Sequence, residues 1–376
     1  MKTRNPLLLA CLLSLLIGLV AACGSDDTDD ASTDSASASA SASASDASTG
    51  EADDATGTED ASDAAATEDG EAEGDADGEA ATRTVESLYG PVEVPVEPER
   101  VFVLDEYAGA AMVYSGVEPI AAFGTFRARI PLAILDESGV PITEVAFGDW
   151  PVEEVATAQP DMIVMTDIGD PSLPETLSEI APTVVIPFIA PWQDIVAAVG
   201  DASGRDDIAA TLDAAVTADL AALAEEPEAG STFSVIASGP QFGTFSIAVG
   251  AVGSSVLEQA GYLRPEAQLA PPDLGVSLQL SPETLGEHDA DFVLQLGGDE
   301  SFYSVDELQS IPTFQGITAV ADERTAVGLG EIWTSFDPFS VFWMVEDIKA
   351  IRAGDSPGTI DDLDTRWQAF LATTGG

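Results

Sequence analysis

The stretch RDDIAATLDAAVTADLAALAEE, residues 205–226, decides the architecture of this 376-residue chain. It contains neither proline nor glycine, and its larger apolar residues recur at spacings of three and four: Ile208, Leu212, Val216, Leu220 and Leu223. That period is typical of a helix with one apolar face. Because shorter strands and helices alternate on both sides of it, the sequence predicts two α/β halves flanking one long connecting helix.

Short apolar runs on each side of this helix are predicted to be buried strands. Four lie before it, at 100–104, 119–123, 161–165 and 183–186, and three after it, at 232–237, 291–296 and 324–328. Helical segments separate them, and a last helix is predicted over 339–353. The alternation predicts mostly parallel sheets, in which ligands bind at the carboxyl ends of the strands.

The first residues of the chain have the pattern of an export signal. Lys2 and Arg4 precede an apolar run over 7–20, which is too short to span a bilayer but suits the core of a signal peptide. Small residues then lead to Cys23, as in the bacterial lipobox, in which the cysteine is lipidated. We therefore predict a lipoprotein signal peptide over residues 1–22 and an anchor on Cys23. An ordinary secretory signal is the alternative.

Residues 23–82 are predicted to be a disordered tether. From residue 24 the segment holds 19 acidic residues and no basic, aromatic, Leu, Ile or Val residue. Such a composition cannot bury enough apolar surface to offset the entropy lost on ordering. Its expected role is that of a flexible spacer, which holds the folded part at a distance from a membrane. A glycosylated stalk is the alternative.

The charge of the chain excludes one large class of partners. With 67 acidic and 12 basic residues the formal net charge is −55, whereas nucleic-acid binding needs clustered Lys and Arg. Two Cys and one His cannot build a zinc site or a disulfide framework. Neither a phosphate-binding Gly-rich loop nor a nucleophile elbow occurs, so we predict a protein that is not an enzyme and has no cofactor.

A series of motifs in fixed order resembles one known family. They are YGPVEVP (89–95), PERVFVL (98–104), GVEPI (116–120), AQPDMIV (158–164), IAPTV (180–184), LSPETL (280–285) and DAD (289–291). Together they resemble the substrate-binding lipoproteins of iron–siderophore and cobalamin ABC importers. The resemblance implies two Rossmann-like lobes, 83–204 and 227–376, joined by a rigid helix over 205–226, with the ligand in the cleft between them. It also implies a location outside the cytoplasmic membrane and a permease with its ATPase as partners.

The residues available for the cleft favour a ferric siderophore as ligand. The mature chain has only His288, predicted to lie at a helix end away from the cleft, so capture of a bare metal ion is not expected. Arg127 and Arg129 follow the strand 119–123 at its carboxyl end, where guanidinium groups can donate hydrogen bonds to the oxygens of a chelate. A surface pair matched to neighbouring acids is the structural alternative.

Aromatic residues on the other carboxyl-end loops complete the predicted site. Tyr107, Trp150, Phe242 and Trp333 are the candidates for ligand contact, with Tyr303 a weaker one, and both tryptophans have a core position as the alternative. Cobalamin, or haem held by Tyr107, Tyr114 or Tyr303, is an alternative ligand. A different class of function is also possible from the sequence: a tethered surface sensor or adhesion domain that takes no part in transport.

A spacing of residues that occurs once in each half of the chain suggests how the protein docks to a membrane partner. Glu153 precedes Asp161 by eight residues, and Glu283 precedes Asp291 by the same spacing, each Glu just after a proline that opens a helix. In the resembling importers one Glu on each lobe pairs with arginines of the permease. Glu153 and Glu283 are therefore the docking candidates, and complementing the positive end of each helix is the alternative.

Overall fold

A computed structural model describes residues 81–226, 228, 230–272 and 277–375. The predicted signal peptide, Cys23 and all of the predicted tether except its last two residues lie outside these ranges. The described chain contains twelve strands: β1 Thr82–Ser87, β2 Gly90–Pro95, β3 Val101–Val103, β4 Ala121–Gly124, β5 Ile142–Glu144, β6 Met162–Thr166, β7 Thr183–Ile186, β8 Phe233–Gly239, β9 Gly243–Ile247, β10 Ser277–Gln279, β11 Phe292–Gly297 and β12 Thr325–Leu329.

Thirteen α-helices connect and cover the strands in the described ranges. They are α1 Glu106–Tyr114, α2 Arg129–Glu137, α3 Val152–Ala158, α4 Ser172–Leu177, α5 Trp192–Ser203, α6 Asp206–Ala224, α7 Val252–Gln259, α8 Val305–Ser310, α9 Pro312–Gln315, α10 Thr318–Ala321, α11 Gly330–Trp333, α12 Pro338–Ala353 and α13 Leu363–Thr374. Short 3₁₀ helices lie at Glu266–Gln268, Pro282–His288 and Ile360–Asp362. Within these residues no helix is long and apolar enough to cross a membrane.

The strands form two five-stranded sheets with related orders. The first sheet runs β5-β4-β3-β6-β7, and every neighbouring pair in it is parallel. The second runs β10-β9-β8-β11-β12, where β8, β11 and β12 are parallel and β9 is antiparallel to both of its neighbours. The hairpin β1–β2 packs beside β7, with the Leu88 amide bonded to the Val185 carbonyl at 3.0 Å. The predicted α/β architecture with two lobes is confirmed, and the second sheet is mixed.

Helix α6 links the two sheets, as the apolar spacing predicts. Its buried residues include Leu212, Val216 and Leu220, and they belong to a buried cluster that also contains Val103 of the first lobe and Val235 of the second. Lys349 of α12 donates to Asp219 of α6 at 2.7 Å. Because one continuous core joins the lobes through α6, we expect them to move little relative to each other.

The chain end returns to the first lobe. Helix α13, which the sequence reading did not find, places Phe370 edge-on to Tyr114 of α1 with ring centroids 5.2 Å apart. Both side chains are buried. The C-terminal residues therefore brace the connection between the lobes, and the lobe boundaries inferred from sequence stay a prediction.

Candidate functional site

A cavity of about 250 Å³ lies between the lobes. All of its contributors follow strands of the two sheets or begin the helices after them, as expected where parallel strands end. The first lobe supplies Tyr107 of α1 and the segment that leads into α2, and the second supplies the segments after β8, β11 and β12. The lining comprises Tyr107, Phe126, Arg127, Ala128, Arg129, Ile130, Pro131, Phe242, Asp299, Phe302, Tyr303, Glu331, Ser335, Asp337 and Ser340.

A buried carboxylate holds the segment that carries both arginines. Glu106, which is 0% exposed, accepts hydrogen bonds from the backbone amides of Thr125 at 2.8 Å, Phe126 at 3.2 Å and Ala128 at 2.7 Å. Bonds from several amides to one carboxylate satisfy its charge without a counter-ion. Glu106, the first residue of α1, thus supports the segment that leads into α2.

The two predicted arginines lie together in the cavity but have different surroundings. Arg129 forms an ion pair with Glu331, which reaches it from the opposite lobe. Among the described residues no carboxylate lies within ion-pair distance of Arg127, whose backbone takes the left-handed conformation with φ 58°. Arg127 is thus the cation left available for a ligand, and Arg129 is shared with the protein's own acid.

The Glu331 carboxylate packs against residue 298, where only a glycine leaves room for it. Its Oε1 also accepts from the Asp299 backbone amide at 3.2 Å, while its Oε2 is buried and has no hydrogen-bond partner among the described residues. A Cβ at Gly298, where φ is +151°, would overlap the Glu331 carboxylate. The loop after β11 therefore admits this side chain because residue 298 lacks a Cβ.

A line of aromatic rings runs from the surface into the cavity. Trp150 meets Phe147 edge-on at 5.8 Å, Phe147 meets Phe126 at 5.5 Å, and Phe126 stacks on Phe188 at 5.3 Å. Tyr107 packs edge-on against Phe126 at 5.6 Å. Tyr107 and Phe242 of the predicted set line the cavity, and the rings of Phe126 and Phe147 separate half-buried Trp150 from it.

Trp333 does not lie where the sequence interpretation placed it. Its side chain is 0% exposed, and its indole N–H donates to Asp347 at 3.0 Å. Because no part of the ring reaches the cavity, the core position is correct and Trp333 leaves the set of ligand contacts. His288 ends the 3₁₀ helix Pro282–His288, so the predicted helix-end position is confirmed, but its side chain is buried at 5% exposure, and burial lowers its pKa.

The tyrosines near the cleft are held in their neutral form. Burial raises the pKa of Tyr303 to about 12, and it raises the pKa of Tyr107 and of Tyr114 well above the ordinary value. No group of His, Cys, Asp and Glu in the described ranges is arranged to hold a metal ion.

Several residues of the cavity were not in the predicted set. Phe302 and Asp299 follow β11, and Glu331 and Asp337 follow β12. Glu331 lies in the same predicted loop as Trp333, and its ion-pair partner Arg129 belongs to the predicted set, but their pairing was not predicted. The sequence signal that could have identified these residues is their position after a buried strand. That signal selects a loop, but it does not show which side chains of the loop face the cavity.

Both docking candidates are exposed. Glu153 lies in the first turn of α3, and Glu283 lies in the first turn of the 3₁₀ helix Pro282–His288, so the second helix start is not α-helical. The Ser281 hydroxyl donates to the Glu283 carboxylate and lowers its pKa. Exposure at both positions is what a docking role requires.

Comparison with known proteins identifies the family. The sequence profile of the family described as periplasmic binding protein matches residues 107–327, more than half of the chain. The chain belongs to the periplasmic binding protein family.

Relatives of this binding protein come from several bacteria. It is 24% identical over 301 residues to the probable siderophore-binding lipoprotein YfiY of Bacillus subtilis strain 168, covering 75% of this chain and 81% of that one. The structure of Staphylococcus aureus SirA complexed with staphyloferrin B has a TM-score of 0.60 at 21% identity, over 72% of this chain and 99% of that one. The periplasmic catecholate-siderophore binding protein VctP of Vibrio cholerae has a TM-score of 0.58 at 22% identity, over 72% and 100%. These structures share the fold of the described residues.

Proposed function

We propose that this periplasmic binding protein captures a ferric siderophore in the cleft between its lobes and delivers it to an ABC importer. The observation that carries the proposal is Arg127, a guanidinium without an ion-pair partner among the described residues, in an aromatic-lined cavity of about 250 Å³. In a siderophore complex the chelator already surrounds the iron, so the protein needs donors for chelate oxygens and apolar surface for the organic scaffold. Relatives that bear siderophore-binding names support this choice.

The residues proposed to contact the chelate are Tyr107, Arg127, Arg129 and Phe242, with Trp150 close enough to report binding by fluorescence. A ferric chelate absorbs light in the range of tryptophan emission, so occupancy should quench it. The test titrates the protein, released from its anchor by Cys23→Ser, with ferric catecholate, hydroxamate and α-hydroxycarboxylate siderophores, and with haem and cobalamin. We expect at least one ferric chelate to bind. Binding of haem or cobalamin alone would overturn the assignment.

A double variant examines the arginines directly. Arg127→Gln/Arg129→Gln removes both guanidinium charges and should weaken an oxygen-rich anionic chelate by roughly 2–4 kcal/mol, at about 1.5–3 kcal/mol for a hydrogen bond to a charged group. Arg324→Gln is the matched control, because Arg324 lies before β12, at the opposite end of that strand from the cavity. Unchanged affinity in the double variant would remove both arginines from the site.

Delivery is proposed to use Glu153 and Glu283 as contacts with arginines of the permease. The proposed lipid on Cys23 would keep the protein at the outer face of the cytoplasmic membrane, within reach of that permease. Exposed ion pairs are individually weak, at about 0–1 kcal/mol, but two separated pairs fix orientation and speed association.

A further inference from the structure

The two walls of the cleft carry opposite charge. Arg127 and Arg129 belong to the first lobe, while the carboxylates of Asp299, Glu331 and Asp337 belong to the second. Among the described residues that line the cavity, acids outnumber bases by three to two. An anion entering this cleft therefore meets one attractive wall and one repulsive wall.

The charge of Arg129 is already neutralised by a carboxylate of the protein, that of Glu331. The ion pair with Glu331 occupies the guanidinium of Arg129, which is 46% exposed, while the Glu331 side chain is 17% exposed. A ligand that carries only negative charge would have to compete with Glu331 for Arg129, and it would then leave Glu331 as an unpaired, largely buried carboxylate. Such a group is costly in free energy.

The three carboxylates of the acidic wall have different partners. Asp337 is satisfied by its own chain, since it accepts from the Ser340 amide at 2.9 Å and from the hydroxyls of Ser335 and Ser340 at 2.6 Å each. Glu331 Oε2 has no hydrogen-bond partner among the described residues. Asp299 is exposed and accepts from the Ser301 amide through Oδ1 at 2.9 Å. Among the described residues, Asp299 is therefore the exposed carboxylate of this wall without an ion-pair partner, whereas Glu331 is paired with Arg129 through Oε1 and its Oε2 is buried.

From this polarity we infer that the ligand is a ferric siderophore of low net charge that presents a cationic amine to Asp299, beside the negative charge of Glu331, and its chelate oxygens to Arg127. This deepens the proposed function and rests on it. A tris-catecholate trianion is the least suitable ferric chelate for such a cleft, and a hydroxamate that bears an ammonium group is the most suitable. The neutral scaffold between the two ends contacts the aromatic rings of Tyr107, Phe242 and Phe302.

The inference is tested with three chelates of graded charge. Ferrioxamine B is a ferric trihydroxamate with a free terminal ammonium, its N-acetylated form keeps the same iron shell without that charge, and ferric enterobactin is a tris-catecholate trianion. We expect ferrioxamine B to bind at least about tenfold tighter than the acetylated form, which corresponds to about 1.4 kcal/mol, and tighter than enterobactin. Dissociation constants come from tryptophan quenching of the Cys23→Ser protein.

Variants separate the amine contact from the rest of the site. Asp299→Asn leaves the pair of Glu331 with Arg129 intact and should reduce the advantage of the ammonium chelate to about threefold or less. Glu331→Gln also frees Arg129, so it should lower the affinity for ferrioxamine B while raising that for enterobactin. Glu258→Gln, an exposed position of α7 outside the cavity, is the matched control and should change neither value. Melting temperatures verify that each variant is folded.

The outcomes distinguish this inference from the function beneath it. Equal binding of the free and acetylated amine, or tighter binding of enterobactin than of ferrioxamine B, would overturn the charge assignment and leave siderophore capture standing. Failure of every ferric chelate would overturn the proposed function itself. If both Asp299→Asn and Glu331→Gln keep the full preference for ferrioxamine B over its acetylated form, the acidic wall takes no part in recognition.

Discussion

Asp161 and Asp291 hold equivalent positions in the two sheets. Asp161, just before β6, accepts from the backbone amides of Glu99 at 2.8 Å and Arg100 at 2.9 Å, which lead into β3. Asp291, just before β11, accepts from the Thr232 amide at 2.8 Å and its hydroxyl at 2.9 Å, and Thr232 leads into β8. Each carboxylate thus fixes the start of one strand to the start of its parallel neighbour. The repeated spacing in the sequence therefore corresponds to equivalent hydrogen bonds between strands in the two lobes.

The same repeat positions Glu153 and Glu283. Strands β5 and β10 are edge strands of their sheets, and each runs parallel to the central strand of its own sheet. Glu153 and Glu283 lie in the first turn of the helix that follows these edge strands. The two carboxylates consequently occupy corresponding corners of the two lobes, at the edge of each sheet where its parallel strands end.

The first prediction concerns docking at these corners. Glu153→Ala/Glu283→Ala should abolish most siderophore-dependent uptake and leave the dissociation constant of the ligand unchanged, because neither residue lines the cavity. Uptake of labelled iron by cells and fluorescence titration of the purified variant provide the two measurements. Glu137→Ala/Glu225→Ala removes the same charge from exposed positions elsewhere and should transport normally. Normal uptake by the first variant, with a small loss of stability, would favour the helix-end role instead.

The second prediction concerns Glu106 as the support of the arginine segment. Glu106→Gln replaces one acceptor oxygen with an NH₂ group that faces backbone amide donors, so the loop over 125–128 loses at least one bond. We expect a loss of about 1–3 kcal/mol in the free energy of unfolding and a weaker affinity for the ferric chelate. Urea denaturation and fluorescence titration measure the two effects. Glu137→Gln makes the same change at an exposed position, and a similar effect there would contradict a specific role for Glu106.

The third prediction concerns pH and the buried acid Asp347. Burial raises its pKa from 3.8 to about 6, as it does for Asp105. The folded protein therefore holds these protons more tightly than the unfolded chain, and the resulting stability is fully present below pH 3.8 and is lost as the pH rises through about 6.

Asp347→Asn isolates this contribution. The asparagine does not titrate, so the stability advantage of the original protein over the variant should shrink by about 0.8 kcal/mol between about pH 5.5 and about pH 7.5. His288 titrates in both proteins, and its effect cancels in the comparison. Denaturant unfolding at the two pH values gives the difference. An advantage that stays constant, or grows with pH, would be inconsistent with a raised pKa at Asp347.

The fourth prediction concerns the predicted tether. The described fold begins with β1 at Thr82, and residues 24–81 contain no Leu, Ile, Val or aromatic side chain for a core. Removing residues 26–80 while keeping Cys23 should leave the melting temperature and ligand affinity unchanged. Cys23→Ser should move the protein from the membrane fraction to the soluble fraction without altering affinity. A fall of several degrees on deletion would show that the segment packs on the fold.

The sequence by itself determined the elements whose signals are local. The apolar period over 205–226 predicted the connecting helix, observed as Asp206–Ala224, and the seven short apolar runs predicted seven of the eight strands with parallel partners to within two residues. The short strand β5 was not predicted. The rule that ligands bind where parallel strands end then selected loops that line the cavity, including the one with Arg127 and Arg129. These signals are readable because secondary structure and strand burial depend mainly on neighbouring residues.

Only the tertiary structure decided how side chains from those loops meet. Trp333 turns into the core because Asp347, fourteen residues later, accepts its indole proton there. Glu331 reaches Arg129 across 202 positions of sequence, and no local pattern encodes that approach. Helix α13 is stabilised by packing against Tyr114 of the other lobe. The polarity of the cleft is likewise a property of two separately folded walls, because charges distant in the sequence face each other only after α6 has brought the lobes together.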